Sequence, residues 1–191
     1  MENTFAIVFG SIFVSNIVLS QFLGICSFLG VSKDLKSSLG MGGAVTFVMV
    51  LASAITWIVY TFALVPLEIG YMSTIAFILA IASLVQIVEM FMKKHMPAMH
   101  KSMGVFLPLI TTNCAILGIA LLNLQKEYTF FESVLNGLSN ALAYTLAMVL
   151  IAGLRERLLD AEPPEAMKGL PILLLVASSM AIAFMGFSGI I

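Results

Sequence analysis

The chain has 191 residues, of which 61% are hydrophobic and only 10% are charged, and its net charge is −1. Soluble domains carry about 25% charged residues, so this composition excludes a water-soluble protein and predicts an all-α integral membrane protein. The polar segments are too short to hold a catalytic or nucleic-acid-binding domain outside the membrane.

Six apolar stretches follow one another along the chain, and each is about long enough to cross the roughly 30 Å hydrocarbon core of a bilayer. They lie near residues 4–30, 39–64, 71–92, 102–124, 131–154 and 169–189. The N-terminus reads MENTFAIVFG, with an acidic residue where a signal peptide has basic ones and with no small-residue cleavage site after it. We therefore expect the first stretch to be retained as a transmembrane segment.

The positive charges indicate how these segments are oriented. Of the nine Lys and Arg residues, only Lys126 lies in the fourth loop. The others lie in the first, third and fifth loops, and they are Lys33, Lys36, Lys93, Lys94, Lys101, Arg155, Arg157 and Lys168. The positive-inside rule therefore predicts that loops one, three and five face the cytoplasm and that both termini face outside.

The two cysteines of the chain indicate an internal repeat. Cys26 lies in QFLGICSFLGVSK and Cys114 lies in TTNCAILGIA, and each begins the pattern Cys-x-x-Leu-Gly. Further along, after a shift of nine residues, Gly40 aligns with Gly137. Because each half holds three apolar stretches, the second half would start on the opposite side of the membrane, which is an inverted repeat. The two three-helix repeats would be residues 1–98 and 99–191.

Polar residues and helix breakers precede both cysteines. They are Asn16, Ser20, Gln21 and Gly24 in the first stretch, and Pro108, Thr111, Thr112 and Asn113 in the fourth. Proline removes an intrahelical hydrogen bond and glycine permits tight turns, so we expect the first helix of each repeat to be broken here. The alternative is that glycine and proline are simply common in membrane helices.

The cysteines allow several interpretations. A single buried cysteine is usually a small apolar filler, and a disulfide has no obvious role inside a membrane. If the two broken helices meet, however, Cys26 and Cys114 could bind a metal. Zinc and iron–sulfur clusters normally take four protein ligands and this chain offers two cysteines, so a metal site here would require a partner protein.

Four segments resemble a known family of membrane subunits. FLGICSFLGVSK, FLPLITTNCAILGIALLN, LIAGLRERL and AFMGFSGII closely resemble the A-type subunits of the Rnf complex, and the similarity extends over the whole chain. The E-type subunits of the sodium-pumping NADH:quinone reductase share the cysteine motifs. The resemblance implies a bacterial or archaeal cell (inner) membrane complex that couples electron transfer between ferredoxin and NAD to Na⁺ or H⁺ translocation.

The same resemblance implies a cofactor and partners. A homologous E-type subunit of opposite topology would share a [2Fe-2S] cluster with this chain, for which Cys26 and Cys114 would be ligands, beside the B, C, D and G subunits. Gly24, Thr112 and Asn113 are candidates to surround the cluster and to hydrogen-bond its sulfur atoms. The flavin-attachment motif of the family's flavinylated subunits is absent from the sequence, so no flavin is expected on this chain. Without a nucleotide-binding loop, the chain would be an enzyme only as part of a complex.

An ion path would need oxygen ligands or an ionisable residue inside the membrane. The candidates are Asn16, Gln21, Thr111 and Glu89. Glu89 also lies four residues before Lys93, a spacing that favours a simple ion pair on a helix.

A competing hypothesis is an inverted-repeat secondary transporter in which the broken helices bind a solute and the cysteines are incidental. A weaker alternative is a structural scaffold for other subunits.

Overall fold

The computed structural model describes residues 8, 10–14, 16–32, 35–67, 72–95, 109–110, 112–160 and 167–186. Within these residues the chain forms helices and turns without strands, which confirms the all-α fold class. The six-span count and the inverted repeat stay predictions, and the proposed boundary between the repeats at residues 98 and 99 lies outside the described residues.

Eight α-helices can be followed along the described chain. They are α1 (Ile17–Ser20), α2 (Ile25–Val31), α3 (Leu35–Val59), α4 (Val65–Leu67), α5 (Ser73–His95), α6 (Cys114–Gln125), α7 (Phe130–Asp160) and α8 (Leu170–Met185). Two π-helical turns cover Gly10–Val14 and Tyr60–Leu64.

Several of the described helices have the length and composition of membrane spans. Three helical segments are long and apolar enough to cross a membrane, namely Leu35–Phe62, Ser73–Met90 and Phe130–Leu158. They overlap the second, third and fifth predicted stretches, whereas α6 and α8 are shorter apolar helices within the fourth and sixth. Large side chains remain exposed on these helices, including Phe62 (76%), Leu79 (64%) and Ile182 (71%). Such faces suit contact with lipid or with another protein of the membrane.

The first predicted stretch contains two short helices. Between α1 and α2 the chain turns over Gln21–Gly24, where Phe22 and Gly24 have positive φ angles of 55° and 83°. A left-handed residue cannot continue a right-handed helix, and glycine adopts this conformation without steric cost. The chain is thus broken two residues ahead of Cys26, as expected from its Gly24.

The chain forms two compact units, and the first comprises residues 1–46 and 139–191. Within it α8 packs against α1 and against the π-helical turn Gly10–Val14. Its core contains large side chains that are almost completely buried, including Ile17, Phe28, Met41, Tyr144 and Met148. A second close contact brings the first part of α3 against α7, where Gly42 faces Thr145.

The second unit comprises residues 47–138. In this unit α5 packs against α6, and Phe77, Ile81, Ile116 and Ile119 contribute to its core. The start of α7 is fixed because the backbone N–H and the hydroxyl of Thr129 donate to the Glu132 carboxylate at 3.1 and 2.9 Å. This pairing uses a carboxylate near a helix N-terminus, where it also interacts favourably with the helix dipole.

Candidate functional site

Cys26 lies in the first unit, in the first turn of α2. The helix begins after Gly24, whose left-handed backbone (φ 83°, ψ 15°) redirects the chain, and Gly24 itself is buried. The Cys26 side chain is exposed and forms no disulfide. The local fold therefore presents the Cys26 side chain at the surface of this unit, immediately after a chain reversal.

The residue that follows Cys26 holds this turn in place. The Ser27 hydroxyl donates to the Gly24 carbonyl at 3.0 Å and accepts a hydrogen bond of 2.7 Å from the Tyr144 hydroxyl. Both side chains are fully buried. Two residues further on, the Arg155 guanidinium donates to the Leu29 carbonyl at 3.3 Å. Two side chains of α7 thus fix the position of α2 and of its cysteine.

Cys114 lies in the second unit, as the first residue of α6. Its neighbour Asn113 is the N-cap, with an extended backbone (φ −71°, ψ 112°) and a side-chain oxygen that accepts from the Ala115 N–H at 3.1 Å. The cysteine is half-buried and forms no disulfide, and Thr112 is exposed. Both cysteines therefore occupy the first turn of a helix that starts after a break.

The side-chain amide of Asn113 has an unusual environment. Its nitrogen is buried, yet among the described residues it has no hydrogen-bond partner. Because a buried amide donor without a partner loses the hydrogen bonds that it made to water, the arrangement is costly unless something else accepts from it.

Asn16 has the same capping role in the first unit, but both its amide oxygen and its amide nitrogen have a hydrogen-bond partner. Its oxygen accepts from the Val18 N–H at 3.1 Å and its nitrogen donates to the Ala143 carbonyl at 3.1 Å. Asn16 and Asn113 are 97 positions apart, the spacing that also separates Gly40 from Gly137, whereas the cysteines are 88 positions apart. The two asparagines therefore share a capping role at the spacing of Gly40 and Gly137, and the repeat itself stays a prediction.

The other predicted site residues are dispersed. Gln21 is exposed at the end of α1, and Glu89 is half-buried on α5. Thr111, with Pro108 and the Lys93 side chain, lies outside the described residues. No three His, Cys, Asp or Glu side chains of the described residues are grouped closely enough to hold a metal ion.

Ser27 and Tyr144 did not emerge from the sequence as site residues. The only sequence signal for them was a hydroxyl group in an otherwise apolar stretch, and nothing in the sequence connects positions that are 117 residues apart. Gly24 and Asn113 are the N-caps of the two cysteine-bearing helices, and the role of Gly24, Thr112 and Asn113 around a cluster stays a prediction.

Comparison with known proteins supports the resemblance inferred from the cysteine motifs. A family model described as "Rnf-Nqr subunit, membrane protein" matches residues 4–191. The A-type subunit of the Na(+)-translocating ferredoxin:NAD(+) oxidoreductase complex of Acetobacterium woodii is 60% identical over 96% of this chain and 95% of its own length. The A-type subunit of the ion-translocating oxidoreductase complex of Syntrophotalea carbinolica is 52% identical over 100% of this chain and 99% of its own length. With cysteine-bearing helix starts and a match over almost its whole length, the chain belongs to the Rnf-Nqr family of membrane protein subunits.

Proposed function

We propose that the chain is a membrane subunit of an ion-translocating oxidoreductase complex and that it supplies two cysteine ligands, Cys26 and Cys114, to an intramembrane [2Fe-2S] cluster. The complex would couple electron transfer between ferredoxin and NAD to translocation of Na⁺ or H⁺. The observation that carries the proposal is that both cysteines, the only two in the chain, lie in the first turn of a helix directly after a break. An incidental apolar filler would have no reason to recur at helix starts.

The residues around Cys114 fit such a cluster. Iron–sulfur clusters are held by cysteine thiolates, and hydrogen bonds to their sulfur atoms adjust the reduction potential. The buried Asn113 amide nitrogen, which has no partner among the described residues, is a donor on the residue that precedes Cys114. When bound, the cluster would accept and release one electron within the bilayer, while this chain would position it and exclude water.

A cluster with this ligand set requires a second protein. Two of the usual four cysteine ligands come from this chain, so a partner must supply the others. A homologous E-type subunit of opposite topology would meet this need, since an inverted copy can present the same two helix starts. The predicted orientation, with both termini outside and loops one, three and five in the cytoplasm, follows from the Lys and Arg distribution.

The candidates for an ion path differ in how far their side chains are already bonded. The side chain of Asn16 makes two hydrogen bonds within the protein. It could bind an ion only by giving up one of these bonds. Glu89 is the remaining ionisable candidate within a described helix, and it is half-buried. Gln21 lies at the break between α1 and α2, where backbone groups are not all used by helix hydrogen bonds.

The cofactor proposal is tested by comparing the assembled complex with the isolated chain. We expect the complex to contain a [2Fe-2S] cluster, seen by electron paramagnetic resonance after dithionite reduction, that is additional to those of its soluble subunits. The purified single chain should hold little iron or acid-labile sulfide because it lacks half of the ligands. A complete cluster on the isolated chain would contradict the shared site.

A second prediction concerns the amide of Asn113. Asn113→Ser keeps a good helix cap but removes the amide donor, whereas Asn113→Leu removes both and should also destabilise the chain by about 1 kcal/mol. Because a donor favours the more negatively charged reduced cluster, both variants should lower its potential. The expected shift is on the order of tens of millivolts, since about 59 mV corresponds to a tenfold change for one electron.

Asn16→Ser is the matched control for this measurement. It changes the equivalent cap in the first unit, but the Asn16 nitrogen already donates to Ala143. We expect Asn16→Ser to leave the potential unchanged in a redox titration followed by electron paramagnetic resonance. If the Asn113 variants also titrate at the wild-type potential, Asn113 has only the capping role.

A further inference from the structure

The second unit contains a cavity of about 250 Å³. Its walls come from the end of α3 with the following π-helical turn, from α5, from the end of α6 and from the turn that leads into α7. The cavity lies near the ends of the segments Leu35–Phe62 and Phe130–Leu158, and therefore at the level where membrane helices meet the surface of the bilayer. A ligand of this cavity would be a molecule found at that surface.

Aromatic rings form much of the lining. Trp57, Tyr60, Phe77 and Tyr128 all border the cavity. The Trp57 indole N–H donates to the Tyr128 carbonyl at 3.1 Å, and its ring meets the Phe130 ring edge-to-face with centroids 5.3 Å apart. These contacts fix the wall before a ligand arrives. Rings arranged around a cavity attract organic cations through their electron-rich faces.

The charge of the lining also favours a cationic ligand. Glu127 is the acidic residue among the lining residues, and none of the described lining residues is cationic. A carboxylate beside aromatic rings is the combination that recognises an ammonium group.

The backbone conformation of Glu127 is unfavourable for a residue with a side chain. Glu127 follows the end of α6 with a φ of 49°, in the left-handed region. The Glu127 N–H donates to the Leu124 carbonyl at 3.1 Å and the Tyr128 N–H to the Asn123 carbonyl at 3.3 Å, which is the hydrogen-bond pattern of a Schellman helix end. Glycine usually fills this position because it has no side chain to clash. A glutamate here is strained, and strained residues of this kind occur at binding sites.

A cation lies next to the carboxylate in the sequence. The Lys126 ammonium lies 5.6 Å from the centre of the Tyr128 ring, yet Lys126 is not among the lining residues. The turn therefore offers a negative residue at the rim of the cavity and a positive residue beside it. A zwitterion with an ammonium followed by a phosphate matches both charges.

The size of the cavity excludes simpler ligands. A volume of roughly 10–15 Å³ is enough for one water molecule, so a bare metal ion would leave most of the space empty. Cavities for drug-sized molecules begin at about 300 Å³, which makes this one small for a nucleotide or a quinone with its tail.

We propose that this cavity binds the headgroup of an aminophospholipid, with the ammonium between Glu127 and the aromatic rings and the phosphate next to Lys126. The lipid would attach the α6–α7 turn to the membrane surface and stabilise that end of the second unit. The proposal does not depend on the cluster, so its failure would leave the roles of Cys26 and Cys114 unchanged.

The single tryptophan of the chain makes the test direct, because Trp57 lines the cavity. The full-length chain, purified in detergent and stripped of lipid, is titrated with short-chain phosphatidylethanolamine while tryptophan fluorescence is recorded. Phosphatidylglycerol of equal chain length, which lacks the ammonium, is titrated in parallel. We expect saturable binding of the first lipid and at least about tenfold weaker binding of the second, as for loss of one charge-assisted hydrogen bond.

Three variants distinguish recognition from a folding defect. Glu127→Gln should weaken phosphatidylethanolamine binding about tenfold, whereas Glu156→Gln, which changes an exposed acid on α7, should not alter it. Glu127→Gly should lose the same selectivity while raising the melting temperature of the lipid-free chain by about 2–4 °C, since glycine relieves the left-handed strain. A variant that is more stable yet binds less cannot be explained by misfolding.

The outcomes against the proposal are equally specific. Equal binding of the two lipids, or unchanged selectivity in Glu127→Gln, would overturn it. Soluble phosphoethanolamine is the third probe, because a free amine could supply the same ammonium. If it binds as tightly as the lipid, the lipid is the wrong ligand class.

Discussion

Replacing either Cys26 or Cys114 by serine is expected to reduce the signal of the proposed intramembrane iron–sulfur cluster in the assembled complex by about tenfold or more, and to abolish coupled ion transport. Serine keeps the size of the side chain but offers a poor ligand to iron, and loss of even supporting groups around a metal weakens binding by about 10–100-fold. The measurement is electron paramagnetic resonance after dithionite reduction, together with ion uptake into vesicles during electron transfer from ferredoxin to NAD.

Ser178→Ala is the control for assembly. Ser178 is exposed on α8, and its hydroxyl donates to the Leu175 carbonyl of the same helix at 2.8 Å. We expect this variant to retain the signal and the transport. If both cysteine variants kept full cluster content and full coupled activity, the ligand assignment would be wrong and a transporter with incidental cysteines would be favoured.

Alanine at Gly42 and alanine at Gly43 are expected to change stability in opposite directions, although the two residues are adjacent in α3. A Cβ atom at Gly42 would lie 2.6 Å from Thr145 Cγ2 and 2.9 Å from its Oγ1, whereas a Cβ at Gly43 meets nothing within 4 Å. Overpacking of a tight contact costs about 1–3 kcal/mol. Alanine in open space on a helix should instead stabilise by about 0.5–1 kcal/mol.

The measurement is the thermal unfolding midpoint of the full-length chain in detergent, with unfolding monitored by size-exclusion chromatography. Thr145 has little freedom to move away, because its hydroxyl donates to the Ala141 carbonyl at 2.9 Å. Thr145→Ser removes the nearest methyl group, so it should recover part of the loss in the Gly42→Ala background but not in the Gly43→Ala background. Equal shifts for both glycines would show that α3 and α7 are not closely packed at this point.

The sequence was sufficient to predict the class of the protein and the presence of a break near Gly24. Composition alone indicates whether a chain lies in water or in a membrane. Glycine accepts a left-handed turn at no steric cost, so the break depends on a single residue. The family assignment was likewise available, because the segments around Cys26 and Cys114 carry it.

The predicted repeat has two candidate registers. Alignment of the residue motif Cys-x-x-Leu-Gly pairs Cys26 with Cys114, at a spacing of 88 residues. Alignment of the helix N-caps pairs Asn16 with Asn113, at a spacing of 97 residues. Cys26 follows a second helix start at Gly24, whereas Cys114 follows its capping asparagine directly, and this difference depends on backbone angles that hydropathy does not report.

Contacts between distant helices could not be predicted from one sequence. Hydropathy identifies a span but not the face that a neighbour covers, so the pairing of Tyr144 with Ser27 and of Trp57 with Tyr128 had no sequence signal. The turn at Glu127 was also hidden, because its left-handed position holds neither the glycine nor the asparagine that usually marks such a helix end.

The buried hydrogen bond from Asn16 to Ala143 has a consequence for the order in which the protein is made. Its two partners are 127 residues apart, so at about 5–20 residues per second Ala143 is synthesised about 6–25 s after Asn16. During that interval the Asn16 amide has no α7 carbonyl to bind, and an unsatisfied amide is costly in lipid. The first segment therefore completes its packing only after α7 has been synthesised, and the insertion machinery or a second chain must shelter its polar groups until then.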